Sequence, residues 1–282
     1  MSTDPFEWAQ TEPLHQENEE AQERELTHEE MREKLRDPSF LPSYDALAKY
    51  FEKFTGLDKD NDPEWKKWLD LAFNDEHPIF EIWTKEYIHA FGSYLAQRVE
   101  ELGGTKENPT IILEVGAGNG RLTHFLQEKI DELLPGKVKI VASDSGKLKI
   151  SPAFPVENIP HNEALATYKP KIVIFSWMPY RYDCTADFRA ALSVDEYILI
   201  GEAGGRSCGD LWQTWGKFWS FDKEARERYE NQPAPYEVDG FEKEYQSDLK
   251  DVQLSRINIS AGESTSETVS FKRKNKNSTH TV

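Results

Sequence analysis

One run of twelve residues passes from an apolar segment through a glycine loop into an amphipathic segment: Ile111-Ile112-Leu113-Glu114-Val115-Gly116-Ala117-Gly118-Asn119-Gly120-Arg121-Leu122. The apolar residues 110–115 predict a buried strand, and the periodicity of residues 121–134 predicts a helix that Pro135-Gly136 ends. Three glycines between them allow a sharp turn and let a ligand approach the main chain closely. The run therefore predicts an α/β fold with a ligand site at a strand–helix loop.

Short apolar segments alternate with helical segments after this run. Such an alternation predicts a parallel sheet covered by helices on both faces, which is a three-layer arrangement. A Gly/Ser/Thr turn separates two later strands, 252–259 and 268–272, and these predict a C-terminal antiparallel hairpin at the edge of the sheet. The remaining predicted strands are 137–143, 155–159, 171–176 and 196–201, so we expect about seven strands in all.

The residues before the glycine loop predict helices. Asp62-Pro63 forms a cap with a proline at the first helical position, and apolar residues at helical spacing follow it. A longer helix is predicted from Pro78 to Gly103-Gly104, and Thr27 and Glu30 form a capping-box pattern for a short helix. These segments predict an N-terminal helical cap that precedes the α/β domain.

The charge is distributed unevenly along the chain. The 282 residues include 51 acidic and 34 basic side chains, for a net charge of −17. Residues 1–37 hold 12 of the acidic and 4 of the basic side chains, so nearly half of the net charge lies there. We predict an acidic, largely disordered tail over 1–37, a helical cap over 38–104, an α/β domain over 105–273 and a disordered tail over 274–282.

Composition excludes several classes of protein. An acidic chain without a basic stripe argues against a nucleic-acid acceptor, and no apolar run reaches the ~18 residues of a membrane span. Two cysteines, Cys184 and Cys208, offer neither a disulfide framework nor a zinc pattern. An acidic run at Asp58, Asp60 and Asp62 fails as a calcium loop because Pro63 replaces the required glycine. We expect a cytoplasmic protein without a metal; the basic C-terminal cluster leaves a nuclear location as the alternative.

The glycine loop departs from the nicotinamide pattern G-x-G-x-x-G, because Arg121 occupies the sixth position. The match is to acidic-x-G-x-G-x-G, and this resembles motif I of the class I, Rossmann-like methyltransferases that use S-adenosylmethionine. That cofactor carries a sulfonium and an amino group in place of a phosphate, which suits a nearby carboxylate. The resemblance implies a cofactor-binding role for Glu114, Gly116, Gly118, Asn119 and Gly120.

Three later segments fit the same resemblance. Asp144-Ser145 ends the next strand 24 residues after Gly120, where a carboxylate that binds the ribose hydroxyls is expected. Glu163 follows the third strand, near the expected adenine. Ser176-Trp177 follows the fourth, beside the expected point of methyl transfer. Each has a structural alternative: a turn or cap for Asp144, a solvated helix start for Glu163 and core packing for Trp177.

The acceptor side is less specific. The segment after the fourth strand keeps Pro179 and Tyr180 of an Asn/Asp-Pro-Pro-Tyr motif but lacks its Asn/Asp, which argues against glutamine or adenine acceptors. Candidate bases or cation binders are Tyr180, Glu202 and Asp210, with Asp183 and His161 as further options. The residues 211–219 predict a helix whose Leu211, Trp215 and Trp219 pack in the core and whose Trp212 faces the pocket.

We therefore expect an S-adenosylmethionine-dependent methyltransferase that acts on a small molecule or a protein side chain by in-line transfer. The alternative is a catalytically inactive methyltransferase-like scaffold that binds a partner. Arg121 argues against a third interpretation, a nicotinamide oxidoreductase. No membrane partner is expected, and the oligomeric state is left open.

Overall fold

The computed structural model describes residues 26–52, 62–73, 78–203, 207–218, 221–256 and 266–274. Predictions that concern residues 1–25, Asp58, Asp60, Trp219 or residues 275–282 lie outside this part of the chain. The described helices are α1 (His28–Arg36), α2 (Tyr44–Glu52), α3 (Pro63–Ala72), α4 (Lys85–Glu101), α5 (Arg121–Leu133), α6 (His161–Tyr168), α7 (Thr185–Ala190), α8 (Lys223–Glu230), α9 (Pro235–Val238) and α10 (Ser247–Lys250). The strands are β1 (Glu81–Ile82), β2 (Thr110–Val115), β3 (Val138–Asp144), β4 (Glu157–Asn158), β5 (Ile172–Ser176), β6 (Glu196–Gly201), β7 (Phe241–Tyr245), β8 (Leu254–Ser255) and β9 (Glu267–Arg273).

A seven-stranded sheet forms the centre of the α/β domain. Its order is β4-β3-β2-β5-β6-β9-β7. The five strands from β4 to β6 are parallel, whereas β9 runs antiparallel to both β6 and β7. The predicted α/β fold, with a Rossmann-like parallel sheet and an antiparallel C-terminal pair, is confirmed.

The first strand of that C-terminal pair was assigned to the wrong residues. The partner of β9 is β7 (241–245), and not the predicted strand 252–259. Leu254–Ser255 instead pairs with Glu81–Ile82 in a separate two-stranded sheet. The same pairing explains why the helix predicted from Pro78 begins only at Lys85, since residues 81–82 are extended and Thr84 Oγ1 accepts a hydrogen bond from Tyr87 N at 3.0 Å.

Side chains alternate between the two faces of the sheet, as the period of a strand requires. Leu113 and Val173 point to the face that α6 and α7 cover. Ile112 and Ile172 point to the opposite face, which α4 and α5 cover. All of these side chains are buried, so the sheet lies between two apolar cores. Because the strands from β4 to β6 are parallel, their carboxyl ends lie together at one edge of the sheet. Ligands of open α/β sheets bind at that edge.

The N-terminal helices have an apolar core of their own. Met31 and Leu35 of α1 are buried against residues of α2 and α3, including Leu47 and Trp68. The capping box of Thr27 and Glu30 is present. Helix α1 therefore belongs to the cap, although it lies within the segment predicted as a tail, because its two apolar residues are four apart and share one face.

Helix α4 packs against the sheet rather than within the cap. Phe91 and Leu95 are buried in the same core as Ile112 and Leu126. The packing thus changes before α4, and not at residue 104 as predicted. Among the described residues, no helix has both the length and the apolar character that a membrane crossing requires.

Candidate cofactor and acceptor site

A cavity of about 760 Å³ opens at the carboxyl ends of β2, β3 and β5, within the size range of small-molecule sites. The sheet contributes one wall, formed by residues 114–119, Asp144-Ser145 and residues 175–177. We call this the sheet wall. The cap and the segment that joins it to α4 contribute the opposite wall, which we call the cap wall: Leu35, Arg36, Pro38, Pro78, Ile79, Phe80, Glu81 and Trp83. The cavity is therefore the place where the two predicted parts of the chain meet.

The glycine loop brings its main chain to the cavity. Gly116 has φ 64°, and a Cβ at this position would overlap the ring of Phe175. Gly118 has φ 55°, and a Cβ there would meet nothing nearer than Ile150, at 3.5 Å. A Cβ at Gly118 would therefore make an ordinary contact with Ile150 and not a clash. The Asn119 carbonyl accepts hydrogen bonds from Ala153 N and from residue 154, which ties the loop to the segment after β3.

The third glycine of the motif has a different role. Gly120 precedes α5 as its N-cap residue, with φ 81°, and it is not part of the cavity wall. A Cβ on Gly120 would approach the side chain of Val156 to 2.8 Å. Packing alone therefore requires a glycine at this position, and a cofactor contact at Gly120 stays a prediction.

Asp144 lies at the carboxyl end of β3 and lines the cavity. Its Oδ2 accepts from Gly118 N at 3.0 Å and its Oδ1 accepts from Gly146 N at 2.7 Å. A carboxylate offers about four acceptor positions, so further positions remain for a ligand. Ser145 is exposed beside it. The turn contacts and the predicted contact with a ribose are compatible with each other.

Glu114 is buried at the end of β2. Its Oε2 accepts from Thr123 N at 3.1 Å and from Thr123 Oγ1 at 2.5 Å, in the first turn of α5. Burial raises the pKa of Glu114 to about 7, the bonds from Thr123 oppose the rise, and the charge of Asp144 adds to it. Near neutral pH the group is therefore easily converted between its charged and neutral forms.

Trp177 follows β5 and is buried. Its backbone is left-handed, with φ 56°, which is rare for a bulky residue. The backbone N–H donates to Ile200 O at 2.7 Å, and the indole Nε1 donates to Glu81 Oε2 at 2.6 Å. The unusual backbone conformation therefore accompanies an indole that connects the sheet wall to the cap wall.

Several predicted site residues lie away from the cavity. Tyr180 is 54% exposed, and Glu202 is buried with Oε2 accepting from Ser207 N. Asp210 accepts from Trp212 N and from Gln213 N, which stabilises a turn. None of these three expected catalytic side chains lines the cavity, whose wall after β5 is formed by Pro179 and Tyr182.

The structure differs from three further expectations from the sequence. Residues 211–215 form a turn and not a helix, and Trp212 packs against Tyr229 instead of facing the pocket. Trp215 is buried as expected, with Nε1 donating to the Cys208 carbonyl at 2.7 Å. Glu163 is exposed on α6 and is absent from the cavity wall, where His161 and Asn162 take its place. The first turn of α6 presents its earlier residues to the cavity.

Three groups that sequence reasoning missed, or left unpaired, line the cavity. Glu81 had no signal in the sequence, and Arg121 was considered only as a departure from a motif.

Arg121 Nη2 donates to Phe40 O at 2.7 Å, and its buried Nε has no hydrogen-bond partner in the described part of the chain. Burial lowers the pKa of Arg121 to about 10, while the charge of Asp37 opposes this change. His161 Nε2 lies 2.6 Å from Asp187 Oδ2.

Comparison with known proteins is limited to the fold. No protein-family model matches the chain, and no curated protein matches it. Among solved structures, the chain is similar to the plantazolicin methyltransferase BpumL in complex with SAH, with 12% identity, a TM-score of 0.32 and coverage of 88% of this chain and 99% of that one. It is also similar to the CMeT domain of the citrinin polyketide synthase (16% identity, TM-score 0.39, coverage 86% and 69%) and to cofactor-bound Rv0187 from MTB (12%, 0.37, 84% and 100%). At such identities and TM-scores, these similarities carry no information about individual residues or substrates.

Proposed function

We propose that this chain is an S-adenosylmethionine-dependent methyltransferase that acts on a small molecule or a protein side chain. One observation supports the proposal above the others. The main chain of Gly116–Asn119, the Asp144 carboxylate and the Ser176-Trp177 segment border the same cavity at the carboxyl edge of a parallel sheet. Gly118 lines this cavity, and a Cβ there would meet only Ile150, at 3.5 Å.

The charges of the residues present suit S-adenosylmethionine. Asp144 has acceptor positions for ribose hydroxyls, and Glu114 supplies a buried carboxyl near the loop. Arg121 supplies a donor for the carboxylate of the methionine part, because its buried Nε lacks a partner among the described residues. When bound, the cofactor supplies a methyl group on a cationic sulfur. The chain would hold and orient the two reactants and exclude water.

The cap wall would receive the acceptor. Ile79, Phe80 and Trp83 give it an apolar and aromatic surface, and Glu81 adds one carboxyl group. This composition favours an acceptor with an apolar body and a polar reacting atom. The scaffold alternative is less well supported, because a scaffold has no need of an open cavity beside the glycine loop.

Calorimetric titration with S-adenosylmethionine and S-adenosylhomocysteine (SAH) tests the proposal. We expect both to bind, and we expect Gly118→Arg to abolish binding. Gly103→Arg is the matched control, because Gly103 also has a positive φ and is not among the residues that line the cavity. Absence of binding to the wild-type chain, or equal binding to both variants, would contradict the proposal and favour a scaffold.

A further inference from the structure

Glu81 is a buried carboxyl group on the cap wall. It belongs to β1, it lines the cavity, and only 7% of its surface is exposed. Its Oε2 accepts from Trp177 Nε1 at 2.6 Å and from Ser266 Oγ at 2.8 Å. Its Oε1 is shielded from solvent and has no hydrogen-bond partner in the part of the chain that the structure describes. One oxygen is thus held in place, and the other is available.

A network of hydrogen-bonded polar side chains extends from Ser266, which donates to the Glu81 carboxyl. Gln253 Nε2 donates to Ser266 Oγ at 2.7 Å, and Thr268 Oγ1 donates to Gln253 Oε1 at 3.0 Å. Tyr87 OH lies 2.7 Å from Thr268 Oγ1. These residues come from α4, from the segment before β8 and from the start of β9. Because the network joins three elements, it fixes the position of Glu81 relative to the sheet.

The surroundings of Glu81 favour its neutral form. Burial raises its pKa to about 8, and the hydrogen bonds that Oε2 accepts from Trp177 and Ser266 oppose the rise. Two other titratable groups lie nearby, Tyr87 and Cys208. Burial raises the pKa of each, the charge of Glu81 adds to both rises, and the charge of Arg256 opposes the rise at Cys208. Glu114, Asp144 and the His161–Asp187 pair line other parts of the cavity. A cation placed in the cavity would therefore favour the charged form of Glu81.

We propose that Glu81 is the proton acceptor of the methyl transfer, and that the acceptor substrate presents an N–H or O–H group to it. This proposal rests on the proposed function. It names the chemical class of the acceptor: a molecule with an apolar or aromatic body, which packs against the cap wall, and a nucleophilic nitrogen or oxygen that loses a proton. The proton moves directly or through one intervening water.

The step balances in charge and in atoms. The acceptor nitrogen or oxygen forms a bond to the methyl carbon while the carbon–sulfur bond breaks, and the electron pair of that bond remains on sulfur. The acceptor proton passes to the Glu81 carboxylate, which becomes a carboxylic acid. Before the transfer, the sulfonium charge favours the carboxylate. After the transfer the sulfur is neutral, so the buried group retains the proton.

This coupling predicts that cofactor binding releases a proton. S-adenosylmethionine and SAH differ in the methyl group and in the charge on sulfur, so only the former should drive Glu81 to ionise. Calorimetry at pH 7.5 in phosphate and in Tris measures the protons released, because the two buffers differ in ionisation enthalpy. We expect wild type to release a substantial fraction of one proton with S-adenosylmethionine and almost none with SAH.

Two variants assign the proton. Glu81→Gln keeps an oxygen that can accept from Trp177 and Ser266. We expect this variant to bind SAH as wild type does, and to release the same number of protons with S-adenosylmethionine as with SAH. Glu114→Gln is the comparison variant, because Glu114 is also buried, also lines the cavity and also has a raised pKa. Its pKa of about 7 leaves Glu114 mostly charged at pH 7.5, so we expect this variant to keep most of the difference in proton release between the two ligands, whatever its affinity for them. The proposal is overturned if the difference in proton release between the two ligands persists in Glu81→Gln. It is also overturned if that difference disappears only in Glu114→Gln.

A second measurement follows the folded wild-type chain by nuclear magnetic resonance and uses one variant for assignment alone. The indole N–H of Trp177 reports on Glu81 through their hydrogen bond, and its ¹⁵N–¹H resonance can be assigned by its loss in Trp177→Phe. We expect the chemical shift of this resonance to change with pH as Glu81 loses its proton. The midpoint of that change should move to lower pH on addition of S-adenosylmethionine and stay unchanged with SAH. An unchanged midpoint with both ligands contradicts the role of Glu81. Failure of both ligands to bind contradicts the proposed function itself.

Discussion

The two walls of the cavity differ in what they present to a ligand. The sheet wall presents main chain at Gly116–Asn119, together with the carboxylate of Asp144. The cap wall presents bulky side chains, among them Phe80 and Trp83, and one buried carboxyl at Glu81. Main-chain groups can hold a ligand common to many enzymes, whereas side chains can be exchanged to suit a particular acceptor. The comparison suggests that cofactor affinity depends on the first wall and acceptor choice on the second.

The largest expected effect compares the buried carboxyls of the two walls. Folding raises the pKa of Glu81 to about 8 and that of Glu114 to about 7, from 4.5 for both. Between pH 4.5 and these values the unfolded chain binds fewer protons than the folded chain. The free energy of unfolding therefore falls as pH rises, by at most about 5 kcal/mol for Glu81 and about 3 kcal/mol for Glu114.

Urea unfolding at pH 5, 6, 7 and 8 checks this prediction. Glu81→Gln should be more stable than wild type at pH 8 and should lose that advantage towards pH 5. Glu114→Gln should show a smaller gain that levels off near pH 7. If the free energy of unfolding changed equally with pH in wild type and in Glu81→Gln, Glu81 would be charged in the folded chain and the prediction would be wrong.

A second prediction concerns the sheet wall. Gly116→Ala adds a Cβ that overlaps the Phe175 ring, and it also forces a non-glycine residue to a positive φ. We expect a loss of roughly 2–4 kcal/mol in stability and a clear loss of SAH affinity. Gly240→Ala has the same backbone cost in open space, with φ 80°, and should lose only about 1–2 kcal/mol. Thermal unfolding and calorimetry of both variants provide the test.

A third prediction separates the parts of the cofactor. Arg121→Gln should weaken the binding of SAH by about 10- to 100-fold, because the charge-assisted hydrogen bond from Arg121 to the carboxylate of SAH is lost. Methylthioadenosine has no carboxylate and should bind the variant and wild type equally. An equal loss for both ligands would mean that Arg121 acts by holding the cap through Phe40.

The smallest effect is expected for the cap wall. Ile79 lines the cavity and is partly buried in the cap core. Ile79→Ala should change SAH affinity by less than about threefold, because residues that share no partner act independently. A tenfold loss would show that the cap wall also binds the cofactor, and the proposed division between the walls would then be wrong.

Much of the sheet wall could be predicted from sequence. The strand–loop–helix run, the position of Asp144 and the α/β class all follow from local periodicity and from glycines at a turn. At Gly120 the structure shows a requirement for glycine that comes from packing against Val156, and a sequence motif cannot distinguish such packing from ligand contact. Glu202 and Asp210 were chosen because they follow β6, yet their carboxylates serve nearby backbone N–H groups.

The acceptor side could not be predicted in the same way. A two-residue strand such as β1 has no periodicity, and its partner, β8, lies far along the chain. Glu81 gains its role from Trp177, 96 residues away, and from Ser266, 185 residues away. His161 was a candidate base, but its pairing with Asp187 depends on how α6 and α7 meet.

The amino-acid order alone was therefore sufficient for the class of fold and for the glycine loop, since these depend on interactions among residues close in sequence. The tertiary structure was needed to identify the cap wall and to bring Arg121 of α5 to the cavity, because burial and hydrogen bonding between distant residues give Glu81 and Arg121 their properties. A carboxyl or a guanidinium in the sequence is one among many. Removal from water, with only part of its hydrogen-bonding capacity used, is what makes it a candidate for chemistry.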